Sequence, residues 1–439
     1  MSGGTRRLIA FLAVAFVLRL AFGLAFDFWG DDEFQIYLIG LKYYTTGAWP
    51  LYGADVVYTE TRLPGGMQGL LVGGPFWIAP WPEAPYILLN VLSLGALALL
   101  AWYIGRRLPD LPRWFLWIWV FFSPWTLDIS AHIINTSYAI LGAIVFCVSA
   151  FELVPALRVG AVPRPLAFFG LGFGLLWVAQ FHLSAAILVP IALVVWALAV
   201  REDSARIPSG LVWCGIGAAL ASLTIVPTLL RDGLGAVAGR TGENIVFEPA
   251  NLLRLPQIVV QFLSLATFEV ARFMGPSTQD RLAFLGRFPW AAPAVIVAGV
   301  LGAIQVGVLL VELFRDHPAR KGWKPVRYAI LGVLALLVPS FAFSVRAPAS
   351  HAYYVLLPVV MIYAFYVWAD LWRFKWIRTM AVILVITGAV TYVALGIRNF
   401  TDRSMYSRRD LVVRAINERD YRLLGQRRTE YWPAERRGE

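Results

Sequence analysis

Residues Leu8–Gln35 read LIAFLAVAFVLRLAFGLAFDFWGDDEFQ. The first nineteen, Leu8 to Phe26, are apolar except for Arg19, and about 20 such residues cross the hydrocarbon core of a bilayer. Arg6 and Arg7 precede the run as in a signal peptide. The run is longer than most signal-peptide cores, so it reads as an uncleaved first transmembrane helix. A charge near the bilayer centre costs roughly 2.5–3.5 kcal/mol on insertion scales. Arg19 is therefore expected to face the helix bundle, in a structural role, or to snorkel toward the interface. Just beyond the run stand Asp31, Asp32 and Glu33. Three adjacent carboxylates repel one another and need solvent, a cation or a proton. Held at a bilayer surface, one of them has its pKa raised by its neighbours and by partial burial, as a general base requires.

The rest of the chain extends the membrane reading. Of 439 residues, 59% are hydrophobic and only 15% charged, and the mean hydropathy is +0.67. Soluble domains carry roughly 25% charged residues, so the expected class is an all-α polytopic membrane protein. The net charge of +11 fits basic cytoplasmic loops near anionic headgroups, and no nucleic-acid motif accompanies it. Cys147 and Cys214 lie in apolar runs and read as buried thiols.

Eleven stretches qualify as spans: roughly 8–26, 84–104, 114–131, 135–154, 166–181, 183–200, 211–230, 290–314, 328–345, 351–370 and 379–396. With the N-terminus in the cytoplasm, every basic cluster of the body falls inside. The domain expectation is a transmembrane body, 1–397, with outer loops at 27–83 and 231–289, and a polar tail, 398–439, outside. That tail holds 18 of the 65 charged residues. Met67–Ala79 is too short to span and reads as re-entrant or interfacial. Gln257–Met274 reads as an amphipathic helix on the outer surface. Phe34–Thr46 reads as an amphipathic surface helix with Phe34, Tyr37, Leu38, Leu41 and Tyr44 on one face.

The order of features in Met1–Asp110 resembles the start of the GT-C class membrane glycosyltransferases (family 39-like), in the bacterial group of aminoarabinose transferases and protein O-mannosyltransferase-like enzymes. The residues that carry the likeness are Asp32-Glu33, the stretch to Gly47, Arg62-Leu63-Pro64-Gly65 and the helix ending at Arg106-Arg107. Ser123-Pro124 and Gln180-Phe181-His182 resemble later landmarks, so the likeness covers about 200 residues. Where the family often has a second acidic residue, this chain has Asn135 or Thr136, with Asp128 earlier.

The resemblance implies transfer of a sugar from a polyprenyl-phosphate donor to an acceptor (lipid, glycan or protein) on the outer face of the cytoplasmic membrane. Asp32 would be the general base, with Glu33 and Asp31 beside it. The departing phosphate needs positive charge, from Arg or Lys or from a divalent cation such as Mg or Mn. The candidate side chains are Arg62, Lys42 and Arg346, and His132, Asn135, His182 and His351 are candidates to line the site. Two other functions remain open on the residues alone. One is a polysaccharide polymerase or ligase using Arg240, Arg254, Arg272, Arg281 and Arg287 of the late outer loop. The other is a flippase or transporter of lipid-linked oligosaccharides.

Overall fold

The computed structural model describes residues 3–26, 31–55, 62–203, 207–238, 246–317, 322–343, 350–403 and 405–425; for 26, 31, 32, 234–238, 350, 351 and 403 it describes the backbone alone. Arg240 and Arg346, among the expected site residues, lie outside them.

The chain opens with α1 (Gly3–Phe26) and turns into α2 (Asp31–Thr46). A two-stranded antiparallel hairpin follows, β1 (Tyr52–Asp55) and β2 (Arg62–Pro64), then the short α3 (Met67–Gly73). The bundle continues with α4 (Ala84–Arg107), α5 (Arg113–Phe122), α6 (Pro124–Ala131), α7 (Ala139–Leu153), α8 (Arg164–Ala179), α9 (Ala185–Glu202) and α10 (Ile207–Ser222). The late loop region holds α11 (Val226–Ala238), α12 (Leu255–Ser264), α13 (Ala271–Met274) and α14 (Thr278–Arg287). Four long helices, α15 (Ala292–Phe314), α16 (Trp323–Ala342), α17 (Leu357–Leu371) and α18 (Lys375–Arg403), precede a terminal α19 (Arg409–Asn417).

This is a helical, polytopic membrane fold. Among the described residues, seven helices are long and apolar enough to cross a bilayer, or eight if α10 and the first part of α11, bent by 75°, form one broken span. The remaining stretches of the expected eleven form the shorter helices α5, α7 and α8, of 10 to 16 residues. The shortness of α5 has a local cause at Ser123-Pro124. Pro124 has no N–H to continue the ladder of α5, which leaves carbonyls at its end without intrahelical partners. Other helices cap them. Arg19 of α1 donates to the Phe121 carbonyl at 2.5 Å, and Tyr392 of α18 donates to the Phe122 carbonyl at 2.8 Å. Arg19 also reaches Ser130 Oγ at 2.6 Å and is fully buried, so it faces the bundle and does not snorkel.

Helices meet closely where glycine permits it. A Cβ on Gly172 of α8 would lie 2.1 Å from the Cys214 carbonyl oxygen, and one on Gly217 of α10 would lie 2.1 Å from that of Phe169. Small residues let helix backbones approach in this way when no hydrophobic effect separates helix from lipid. On the outward faces Val14, Val17, Leu193, Leu220, Ile296 and Ile386 are exposed, which is the arrangement lipid solvates. Central α17 is buried along its length. Cys147 is buried and Cys214 half-buried, and both are free thiols.

Two expectations are corrected. Helix α2 is not a surface helix with one covered face: Gln35 through Leu41 are all buried. One side packs on α3, where Gly40 lies against Val72 and Gly73. The other is covered by residues 405–425. The segment 257–274 does not lie on the surface over its whole length. Beyond α12 it turns into the bundle, burying Leu265, Ala266 and Phe268. Polar groups of α5 and α15 satisfy the backbone there: Trp119 Nε1 donates to the Ala266 carbonyl at 3.0 Å, and Gln305 Oε1 accepts from the Phe268 N–H at 2.9 Å.

Chain direction follows from α1 and α18. Phe22 and Tyr392 have ring centroids 5.6 Å apart, and four residues further along α18 a Cβ on Gly396 would lie 3.9 Å from Ala25, three residues further along α1. The two helices run parallel, so the end of α18 lies at the same end of the bundle as α2 and the hairpin.

Candidate functional site

The site begins where the first turn of α2 meets the end of α6. Glu33 Oε1 is 4.0 Å from His132 Nε2, and both side chains are nearly buried. His132 ends α6, and its Nδ1 is hydrogen-bonded to the Asp128 carbonyl one turn earlier. A carbonyl accepts only, so Nδ1 carries the proton and Nε2 presents its lone pair toward Glu33. Burial pushes the His132 pKa down to about 4, against the opposing hydrogen bond to Asp128. The ring is neutral at pH 7. The turn after it is closed by Ser137, whose Oγ donates to the His132 carbonyl at 2.6 Å and accepts from the Ile134 N–H at 2.9 Å. Asn135 is half-buried in that turn.

The late loop adds a cation. Arg272 of α13 stacks its guanidinium over Trp125 at 5.0 Å and faces Asp128 and Glu269. Burial pulls the Arg272 pKa below its ordinary value, while Tyr353, Asp128 and Glu269 oppose the shift. Burial raises the Glu269 carboxyl above the usual range, opposed chiefly by its hydrogen bond from the Ala271 N–H. Two other described arginines of this loop have structural engagements. Arg281 donates to the Gly275 carbonyl at 3.1 Å, and Arg287 makes a two-pronged pair with Asp402 at 2.7 Å on each prong. Arg254 lies at the end of the turn leading into α12.

The hairpin brings Arg62 to the same end of α2. Arg62 Nε pairs with Asp55 Oδ1 at 3.0 Å across the two strands. Three glutamines dock this small sheet. Gln35 of α2 accepts from the Asp55 N–H at 3.1 Å, and Gln68 of α3 accepts from the Ala54 N–H at 3.2 Å. Gln180, at the end of α8, packs on Gly65 and accepts from Thr224 Oγ1. Gly65 has φ +107, a backbone shape that suits glycine. From α11, Asp232 accepts from the Tyr52 hydroxyl at 2.5 Å and pairs with Arg231 at 2.9 Å. The Tyr52 pKa is pushed up to about 12, first by burial and then by Asp232.

The other expected residues fall in several places. The backbone of Asp31 and Asp32 opens α2 beside Glu33; their side chains are outside the described residues. The same holds for the side chain of His351, whose backbone lies in the turn preceding α17. Lys42 lies on α2 nine positions after Glu33, about 13 Å along the axis at 1.5 Å per residue, with its ammonium over the Tyr421 ring at 5.8 Å. His182 joins α8 to α9: its Nδ1 accepts from the Ser184 N–H at 3.1 Å and contacts Ser184 Oγ at 2.7 Å. Among the described residues, no three His, Cys, Asp or Glu side chains converge as a metal-binding group. The sequence reading passed over Gln35, Gln68 and Trp125; neutral side chains in apolar runs carry no signal until their partners are known.

No family model and no curated protein matches the sequence. Solved structures do match the fold. Apo ArnT from Cupriavidus metallidurans aligns over 92% of this chain and 78% of its own, at 11% identity and a TM-score of 0.53. The structure of the same protein bound to undecaprenyl phosphate aligns over 98% and 79%, at 14% identity and a TM-score of 0.49. The chain thus has a fold similar to that of ArnT, an aminoarabinose transferase of the GT-C class.

Proposed function

We propose that this protein is a membrane glycosyltransferase that moves a sugar from a polyprenyl-phosphate donor to an acceptor hydroxyl. It acts at the outer face of the cytoplasmic membrane. The observation that carries the reading is the meeting of Glu33, in the acidic first turn of α2, with neutral His132 beside Asp128, in a chain whose fold resembles ArnT over most of its length.

In the proposed step, the acceptor oxygen attacks the anomeric carbon. The new C–O bond forms as the bond from that carbon to the donor phosphate breaks, and the phosphate leaves with the electron pair. The hydroxyl proton passes to the Asp32 carboxylate. Glu33 and His132 Nε2, both acceptors, hold other hydroxyl groups of the substrates and so orient the attacking one. Charge developing on the phosphate is met by a fixed cation, which is worth most in a partly dry site. Arg62 serves by exchanging contact with Asp55, and Arg272 is the cation from the late loop. The donor's polyprenyl tail lies in the bilayer, so the sugar phosphate enters from the membrane side.

Two measurements test this. Mass spectrometry of envelope glycans from cells with and without the protein should show one missing sugar, which names donor and acceptor class together. Asp32→Asn keeps shape and hydrogen bonding but accepts no proton. Transfer should fall by roughly 10²–10⁴-fold at matched protein level. Near-normal transfer in Asp32→Asn sinks the base assignment. Near-normal transfer in Asp31, Asp32 and Glu33 variants together, with loss in Arg272→Ala, favours the polymerase or ligase reading.

A further inference from the structure

The last described segment, 405–425, folds back on the first loop and covers α2. Arg408 places its guanidinium 5.4 Å over the Phe34 ring, next to Glu33. Ten residues on, about 15 Å along the helix, Arg419 lies 5.3 Å over Tyr44 and 5.3 Å over Trp77. Arg409 pairs with Glu83, at the start of α4, at 2.8 Å. Gly425 closes the contact against Leu38 and Phe34. Apolar anchors make the segment an ordered part of the fold: Met405, Val412, Ala415, Ile416, Tyr421 and Leu424 are buried.

The backbone adds an independent sign. Arg419 has φ +52, and no other non-glycine among the described residues has a positive φ. An arginine in this region is strained, and such strain persists where surrounding contacts over-determine it. Here the left-handed residue ends α19 and turns the chain back to α2. Its side chain lands on the two rings at the far end of that helix.

We propose that residues 405–425 are a strap gripping both ends of α2, and that Arg408, Arg409 and Arg419 are positioning residues that hold Glu33, in the first turn of that helix, against His132. The catalytic consequence rests on the function proposed above; the grip on α2 does not. None of the three touches the reacting atoms. They act by fixing the depth and rotation of a helix whose own contacts to α3 pass through small residues, Gly40 and Gly73.

The test uses the full-length protein in lipid nanodiscs. Amide exchange over 36–46 is compared between wild type and the triple variant R408A/R409A/R419A. Turnover is read as polyprenyl phosphate released from the lipid-linked sugar pool extracted from the same cells. Exchange in α2 should quicken by about tenfold or more, the effect of losing ordinary cation–π and ion-pair contacts together. Exchange in α7 and α8 should stay unchanged, which controls for global unfolding. Turnover should fall as exchange quickens, and R408K/R409K/R419K, which keeps the cations, should restore most of both. Arg419→Gly relieves the backbone but removes the cation, and it should also loosen α2. Unchanged α2 exchange in the triple variant overturns the strap. Faster exchange with unchanged turnover overturns the positioning role. A wild type that releases no polyprenyl phosphate overturns the proposed function, and the exchange data then decide the strap by themselves.

Discussion

His132 shows how one side chain couples burial to chemistry. Its Nδ1 proton is committed to the Asp128 carbonyl, so only Nε2 is available toward Glu33. Folding holds the ring neutral down to about pH 4, whereas an unfolded histidine protonates near 6.5. Between those values the unfolded chain binds the extra proton. Stability from this residue is therefore complete above about pH 6.5 and drains away as pH falls toward 4, by at most about 3 kcal/mol. Melting temperature measured from pH 7.5 to 4.5 should fall more steeply for wild type than for His132→Gln. Parallel curves would show that the ring is not buried neutral. Arg19 makes the complementary point. A charge in an apolar helix was legible as an oddity, but its partners, the Phe121 carbonyl and Ser130, are more than a hundred residues away.

At the scale of elements, the α8–α10 contact depends on two glycines that face backbone carbonyls. A flexible side chain can yield to a new methyl group; a carbonyl in a helix ladder cannot. Gly172→Ala and Gly217→Ala should each push the helices apart and cost about 1–3 kcal/mol, the usual range for overpacking. Thermal unfolding in detergent checks this. Gly215→Ala, on the same helix with open space at its Cβ position, should be nearly neutral. Equal losses at all three positions would show that the close crossing does not set the cost, since helix propensity by itself favours alanine over glycine. The α5–α6 break works by similar local logic. Proline opens the ladder, and groups from α1 and α18 satisfy the carbonyls it frees.

For the whole molecule, the parallel run of α1 and α18 puts the N-terminus and the end of α18 at opposite ends of the bundle. The basic loops after α4, α9 and α17 belong with the N-terminus. Reporter fusions after Arg107, Arg201 and Arg378 should report cytoplasm, and a fusion after Glu439 should report the outer side. A cytoplasmic signal at Glu439 would contradict the placement of the tail with the first outer loop. Ion pairs tie distant segments at the end of the bundle that carries α2: Arg409 with Glu83, Arg287 with Asp402.

The amino-acid sequence by itself determined the helical membrane fold, most of its apolar stretches and the acidic turn that opens α2. Those features depend on transfer of single side chains to hydrocarbon and on local periodicity, which need no knowledge of neighbours. Tertiary structure alone decided that α2 is covered on both faces, that 265–268 enters the bundle, and that Glu33 meets His132 while Lys42 meets Tyr421. It also decided that Arg62 is paired with Asp55, because the two strands must first align to bring guanidinium to carboxylate. Such pairings join residues far apart in the chain. Their energy comes from geometry at the point of contact, and a linear pattern of hydropathy and charge carries no record of it.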